Sequence, residues 1–185
     1  MGNNVSELIN QNRRKMKDAG FGAPKDESSK VLIRPPTFAK ACFGFGVLLT
    51  LGGSFTGIDL ALTTDRNQSL ALKLAGLALV AANLYLMLWS VEYFGKNNTP
   101  VCHGRKAQKL VKGGPFFYTR NPMYVGMVGL IGSVSLLANS WWFLIASSPL
   151  YLYLQYLVVP IEENHLFNSF ENYEEYAKKT PRWIL

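Results

Sequence analysis

From residue 121 to residue 161 the chain carries no charged side chain, a run of 41 residues. One helix of that length would extend about 60 Å at 1.5 Å per residue, roughly twice the hydrocarbon thickness of a bilayer. Two antiparallel helices fit instead, with a tight reversal at Ala138-Asn139-Ser140. A hairpin returns its two ends to one membrane face. The polar segment before it, GGPFFYTRNPMYVG (residues 113–126), and the one after it, EENHLFNSFENYEEYAKKTPRWIL (residues 162–185), should therefore be neighbours in space.

Three further properties support a membrane bundle. The 49% hydrophobic content is diluted by a polar N-terminal tail, and past that tail four stretches read as spans: 41–62, 70–91, 123–137 and 141–161. These lack the polar stripe that a soluble amphipathic helix requires. Asp59 and Lys73 lie near span ends, where their charges reach the interface. The expected fold is all-α and integral to the membrane, with four transmembrane helices and a C-terminal amphipathic juxtamembrane helix. Its parts are an N-terminal tail (1–37) closed by Pro35-Pro36, a first pair of spans (38–94), a loop carrying the first motif (95–122), the hairpin (123–161) and a C-terminal segment (162–185).

The net charge of +7 is distributed by topology. Of the 19 Lys and Arg residues, 17 fall before the first span, between spans two and three, or after span four. The positive-inside rule assigns that face to the cytosol or to a matrix or stromal equivalent. With four spans both termini lie there, and an endomembrane is the expected location. The cations then face anionic headgroups, which excludes nucleic acid as the partner. Cys42 reads as a span residue and Cys102 as a loop thiol, so no disulfide is expected. The start MGNNVS fits a myristoylation pattern at Gly2, and an amphipathic piece over 5–16 is the alternative use of the tail.

The two motifs carry the chemistry. Gly113-Gly114-Pro115 makes a sharp turn, Phe117 and Tyr118 suit the interface, and Pro122 suits the first turn of a helix. Arg120 and Asn121 then flank the free N–H groups of that helix start, a place that holds a carboxylate well. Gly126, one turn on, allows close approach by a ligand or a neighbouring backbone. In the second motif Glu162 and Glu163 leave the membrane side by side. They can bind Arg120 and the loop lysines, or accept hydrogen bonds from a ligand's hydroxyls or amine. Leu166, Phe170, Tyr173 and Ala177 form a helical stripe, with Glu171, Glu175 and Lys178 facing away. No metal centre is expected, because His165 and the two glutamates lack a second ligand cluster.

RNPMYVG, a hairpin, then EExxLxxxF followed by spaced tyrosines and PRW together resemble the isoprenylcysteine carboxyl methyltransferase-like family of integral-membrane methyltransferases, which includes phospholipid methyltransferases. The resemblance covers about residues 110–185. It implies S-adenosylmethionine as methyl donor, held by Asn121, Pro122, Tyr124, Gly126, Glu162, Glu163, Leu166, Phe170, Tyr173 and Tyr176. Two positions depart from the family pattern. Asn121 stands where histidine is common, and asparagine does not titrate, so it cannot serve as a base. Glu171 stands where glycine is common and would be strained at positive φ.

The acceptor implied is a membrane lipid or a lipid-like or prenylated molecule. For a carboxylate acceptor, Arg182 or Arg120 would orient it by charge-assisted hydrogen bonds. For an amine, Glu92 or the 162–163 pair would be the base. A second reading is a non-catalytic membrane subunit that keeps this fold as a scaffold within a membrane protein complex.

Overall fold

The computed structural model describes residues 33–58, 60–97 and 109–184. The Gly2 pattern, the amphipathic piece at 5–16, Asp59 and Cys102 lie outside the described residues. Six α-helices are described: α1 (Pro35–Thr56), α2 (Arg66–Lys96), α3 (Pro122–Leu137), α4 (Trp141–Tyr153), α5 (Val159–Ser169) and α6 (Tyr173–Lys179). A 3-10 turn covers Gly114–Phe117, and a π-turn at Leu154–Val158 joins α4 to α5.

Local chemistry sets the helix ends. Pro35 and Pro36 open α1, because a proline in the first turn gives up no needed N–H bond. The prolines start a helix six residues ahead of the expected span. Gly57 ends α1 at φ 74°, a left-handed conformation that glycine adopts freely, so the span stops short of residue 62. Asp65 caps α2 by accepting hydrogen bonds from the Asn67 and Gln68 N–H groups at 2.7 and 3.1 Å. Residues 66–69, assigned by sequence to the outer loop, are therefore helical. The expected reversal at 138–140 is present, with Asn139 in the left-handed region at φ 49°.

Among the described residues three helical segments are long and apolar enough to cross a membrane, where the sequence suggested four: Pro35–Thr56, Arg66–Lys96 and the continuous run Trp141–Ser169. The difference is α3. Its 16 residues make about 24 Å of helix, short of the roughly 30 Å of a hydrocarbon core.

The α3–α4 hairpin sits in the middle of the bundle. α2 packs along α3 and α1 packs along α4, while α1 and α2 make no extensive contact with each other. Glycines permit the closest seam. A Cβ at Gly129 would lie 2.3 Å from Asn83 Oδ1, and one at Gly126 would lie 2.5 Å from Met87 Cγ. Asn83 Nδ2 also donates to Ser133 Oγ at 3.1 Å, a neutral polar tie between α2 and α3. The core joins Cys42 of α1, Tyr124, Met127 and Ile131 of α3, Phe143 and Leu150 of α4, and Leu154, Val158 and Val159 beyond it.

The π-turn has a local cause. Pro160 has no N–H and its ring crowds the carbonyl four residues back, so the ladder widens just before it. Val159 N–H reaches the Leu154 carbonyl, five residues back. Leu150, Leu154, Val158 and Val159 are all fully buried around this turn. A wide turn takes up about one residue, which sets the direction in which α5 presents its first side chains.

Candidate functional site

The hairpin brings the two motifs together, as its length requires. Glu163, at the start of α5, lies between two arginines. Arg182 grips it with both sides of the guanidinium fork, Nε to Oε1 at 3.2 Å and Nη2 to Oε2 at 2.6 Å. Arg120 Nη2 approaches Oε1 at 3.3 Å. The Arg120 and Glu163 side chains are only 15% and 16% exposed, so this is a sheltered pair whose Coulomb attraction is little screened. Glu162, one residue earlier, accepts a hydrogen bond from the Tyr124 hydroxyl at 2.8 Å.

The backbone of residues 180–183 lies as a strap across the start of α3. Arg120 N–H donates to the Pro181 carbonyl at 2.9 Å. The Thr119 hydroxyl and the Asn121 amide both donate to the Arg182 carbonyl, at 2.8 and 3.1 Å. Trp183 Nε1 donates to Gln155 Oε1 at 2.6 Å, fastening the strap to the π-turn. On the other side, the Tyr176 hydroxyl donates to the Phe116 carbonyl at 2.6 Å and holds α6 against the 3-10 turn.

Two polar atoms in this cluster are buried and unpartnered: Arg120 Nε and the Tyr173 hydroxyl. Burial pushes the Tyr173 hydroxyl up to about 12, with the Glu163 charge adding to the shift and the two arginines opposing it. The hydroxyl thus stays protonated and able to donate at neutral pH. Burial likewise raises Tyr176, and the hydrogen bond to Glu163 raises Arg182. The buried guanidinium N–H of Arg120 lacks an acceptor, and the buried phenol beside it has the same arginine as its neighbouring hydrogen-bonding group; together they suit a small anionic group such as a carboxylate.

Of the residues named from sequence, Arg120, Asn121, Glu163, Tyr173 and Arg182 meet in this cluster, with Tyr124 and Glu162 paired beside it. Pro122 is fully buried as the first residue of α3. The room beside Gly126 is taken by Met87 and the Asn83 carbonyl, so the close approach it permits is helix against helix. Leu166 and Phe170 are half-buried. Glu92 stands exposed near the end of α2, paired with Lys96 at 2.6 Å.

The stripe expected from Leu166 to Ala177 does not run as one helix. α5 ends at Ser169, Phe170 is extended (φ −131°, ψ 118°), and α6 starts afresh at Tyr173. The break turns Tyr173, Tyr176 and Thr180 inward. Glu171 lies in the exposed turn between the helices without strain: Asn139 is the non-glycine residue at positive φ among the described residues. Thr119 and Gln155 were not singled out by sequence. A buried threonine beside an arginine, and one glutamine in an apolar run, are weak signals until their partners are known.

Comparison with known proteins follows the same segment. Residues 72–173 match the family described as "Phospholipid methyltransferase". The chain is also 31% identical over 133 residues to the nickel-cobalt-cadmium resistance protein NccN of Alcaligenes xylosoxydans xylosoxydans. That alignment covers 68% of this chain and 58% of the relative, so this chain spans little more than half of that protein's length. No solved structure matches.

Proposed function

The chain belongs to the phospholipid methyltransferase family, and from that premise we propose that it transfers a methyl group from S-adenosylmethionine to a membrane-partitioned acceptor. The observation that carries this reading is the convergence of both motifs on one sheltered cluster in which the buried Arg120 Nε and Tyr173 hydroxyl form no well-aligned hydrogen bond. The residues fit the donor's amino-acid end, because Arg120 and Tyr173 would take its carboxylate while Glu163 or Glu162 would accept from its amine or ribose hydroxyls. When bound, the donor supplies an activated methyl on a sulfonium.

The chain's own part in such a transfer is positioning. Glu163 and Arg182 fix each other in a two-point fork, which orients the charged wall of the site. Burial of Tyr173 and Tyr176 keeps water away from that wall. An acceptor carboxylate would be drawn to Arg182 or Arg120 and needs no base, since it is ionised at neutral pH. An amine acceptor would need a proton removed, for which Glu162 is better placed than the exposed Glu92. A lipid or prenylated molecule reaches such a site from the bilayer, with the cation-rich end of the bundle and both termini on the cytosolic side.

Titration calorimetry of the detergent-purified protein with S-adenosylhomocysteine tests the reading. Binding in the micromolar range is expected, lost in Glu163→Gln, along with transfer of labelled methyl into a lipid extract. No heat up to millimolar ligand would remove the proposal.

A further inference from the structure

Asn121 occupies the N-cap position of α3, where asparagine ordinarily turns its side-chain oxygen onto the free N–H groups of the first turn. Here it makes no such cap. Its amide instead donates across 61 positions of sequence to the Arg182 carbonyl at 3.1 Å. The Thr119 hydroxyl donates to the same oxygen at 2.8 Å, and it also accepts the Asn121 N–H at 3.2 Å. Both lone pairs of one carbonyl are thus filled by two donors that are themselves tied together. Thr119 is fully buried, so water does not compete for its bond. Arg120 N–H, between them, holds the preceding carbonyl of Pro181. Three consecutive residues of the first motif therefore fix two consecutive residues of the strap.

We propose that Asn121 is a positioning residue: with Thr119 it clamps the backbone of Arg182, so that the Arg182 guanidinium remains locked on Glu163. The inference rests on the methyl-donor reading of that cluster and assigns Asn121 no contact with the donor. The chemistry favours asparagine for this task. Its amide donates at every pH, whereas aspartate of the same shape would set a carboxylate oxygen against the Arg182 carbonyl. With the clamp released, the strap gains freedom and the two-point fork on Glu163 loses its fixed geometry. The penalty falls on donor affinity, because the groups that would receive the donor are no longer preorganised.

The test uses the full chain in detergent and the variants Asn121→Asp, Thr119→Val and Thr119→Ser. Two measurements are made on each: amide hydrogen exchange of Arg120, whose N–H holds the Pro181 carbonyl of the strap, and affinity for S-adenosylhomocysteine with the donor KM and kcat. For Asn121→Asp, exchange at Arg120 should quicken at least tenfold and exchange in α2 and the body of α3 should stay at wild-type rates. Affinity should fall about tenfold, with KM for the donor rising in step and kcat changing less. Thr119→Val, which removes the other donor without adding charge, should reproduce both effects more weakly, and Thr119→Ser should restore them.

Weakened affinity with Arg120 exchange unchanged would mean that Asn121 touches the donor itself and would overturn the positioning role. Wild-type values of both in Asn121→Asp and Thr119→Val would overturn it as well. Absence of binding in the wild-type protein is a separate result. It removes the methyl-donor reading and this inference with it, whatever the exchange rates show.

Discussion

The two ends of the α3–α4 hairpin are built from opposite materials. At the turn, neutral groups close on one another. Asn139 accepts from the Thr63 N–H at 3.1 Å and donates to the Thr63 carbonyl at 2.7 Å, as a strand neighbour would. Leu62 N–H and Trp141 N–H complete the pairing with the Asn139 and Leu60 carbonyls at 3.2 and 2.9 Å. One buried indole N–H, that of Trp142, is left over. At the other end the ties are ionic, come from segments about 20 to 60 residues apart, and leave a guanidinium N–H and a phenol unmet in the same cluster. Burying polar groups is costly unless they are partnered. The turn end confines that cost to one indole N–H by pairing neutral groups with each other across 76 positions of sequence. The motif end accepts it, which is the expected mark of a place that receives a ligand.

The strongest way to break the comparison is to change the phase between the ends. One alanine inserted after Tyr156 would turn α5 by about 100° and carry Glu162 and Glu163 away from Arg120 and Arg182. S-adenosylhomocysteine binding should vanish while the turn end stays intact. Deleting Tyr156 should be far milder, because it converts the wide turn to ordinary α-helix and leaves α5 facing the same way. Equal damage from insertion and deletion would refute this account of the π-turn.

Single substitutions separate the ends next. Glu163→Gln leaves two sheltered guanidinium groups without a counter-charge, which should cost about 3 kcal/mol of stability and donor binding as well. Asn139→Ala loses two side-chain hydrogen bonds and forces alanine to φ 49°, which should cost about 2 kcal/mol. Its folded fraction should bind donor with wild-type affinity. Unfolding in mild detergent, paired with calorimetry, reads both quantities. A binding defect in Asn139→Ala would mean that the two ends are coupled through the hairpin.

The smallest effect is alkaline. Tyr173 ionises at about 12 in the folded protein against an ordinary value of 10.0. The unfolded chain releases that proton first, so the tyrosine's contribution is complete below pH 10 and is lost as pH rises toward 12. The wild type should lose up to about 2 kcal/mol more than Tyr173→Phe across that window, measured by thermal unfolding of the two proteins side by side. Parallel stability curves would show that Tyr173 is not held in a sheltered, charge-bearing cluster.

Much of this architecture was legible in the residues. The length of the uncharged run required a reversal, and Ala138-Asn139-Ser140, near its middle, is where the chain turns. The same argument brought the segment that carries Arg120 to the one that carries Glu162 and Glu163, and left their pairing open. Helix ends were less legible. The Asp65 cap extends α2 into what reads as a loop, and Gly57 stops α1 early. The C-terminal stripe misled because periodicity registers the apolar side chains and not the break at Phe170, which shifts the buried face to Tyr173 and Tyr176. Gly126 read equally well as a ligand-facing or a helix-facing glycine, and Met87 of α2 decides it.

Membrane partition and helix reversal depend on composition summed over about twenty residues, so the sequence by itself determined the all-helical membrane fold, the hairpin and the meeting of its two motifs. Which atoms then pair depends on positions accurate to an ångström. Those follow from the phase of α5 after the π-turn, the close α2–α3 seam and the path of the strap. Only the tertiary structure decided that Glu163 takes both arginines, that Glu162 takes Tyr124, and that Asn121 reaches past its own helix to hold Arg182.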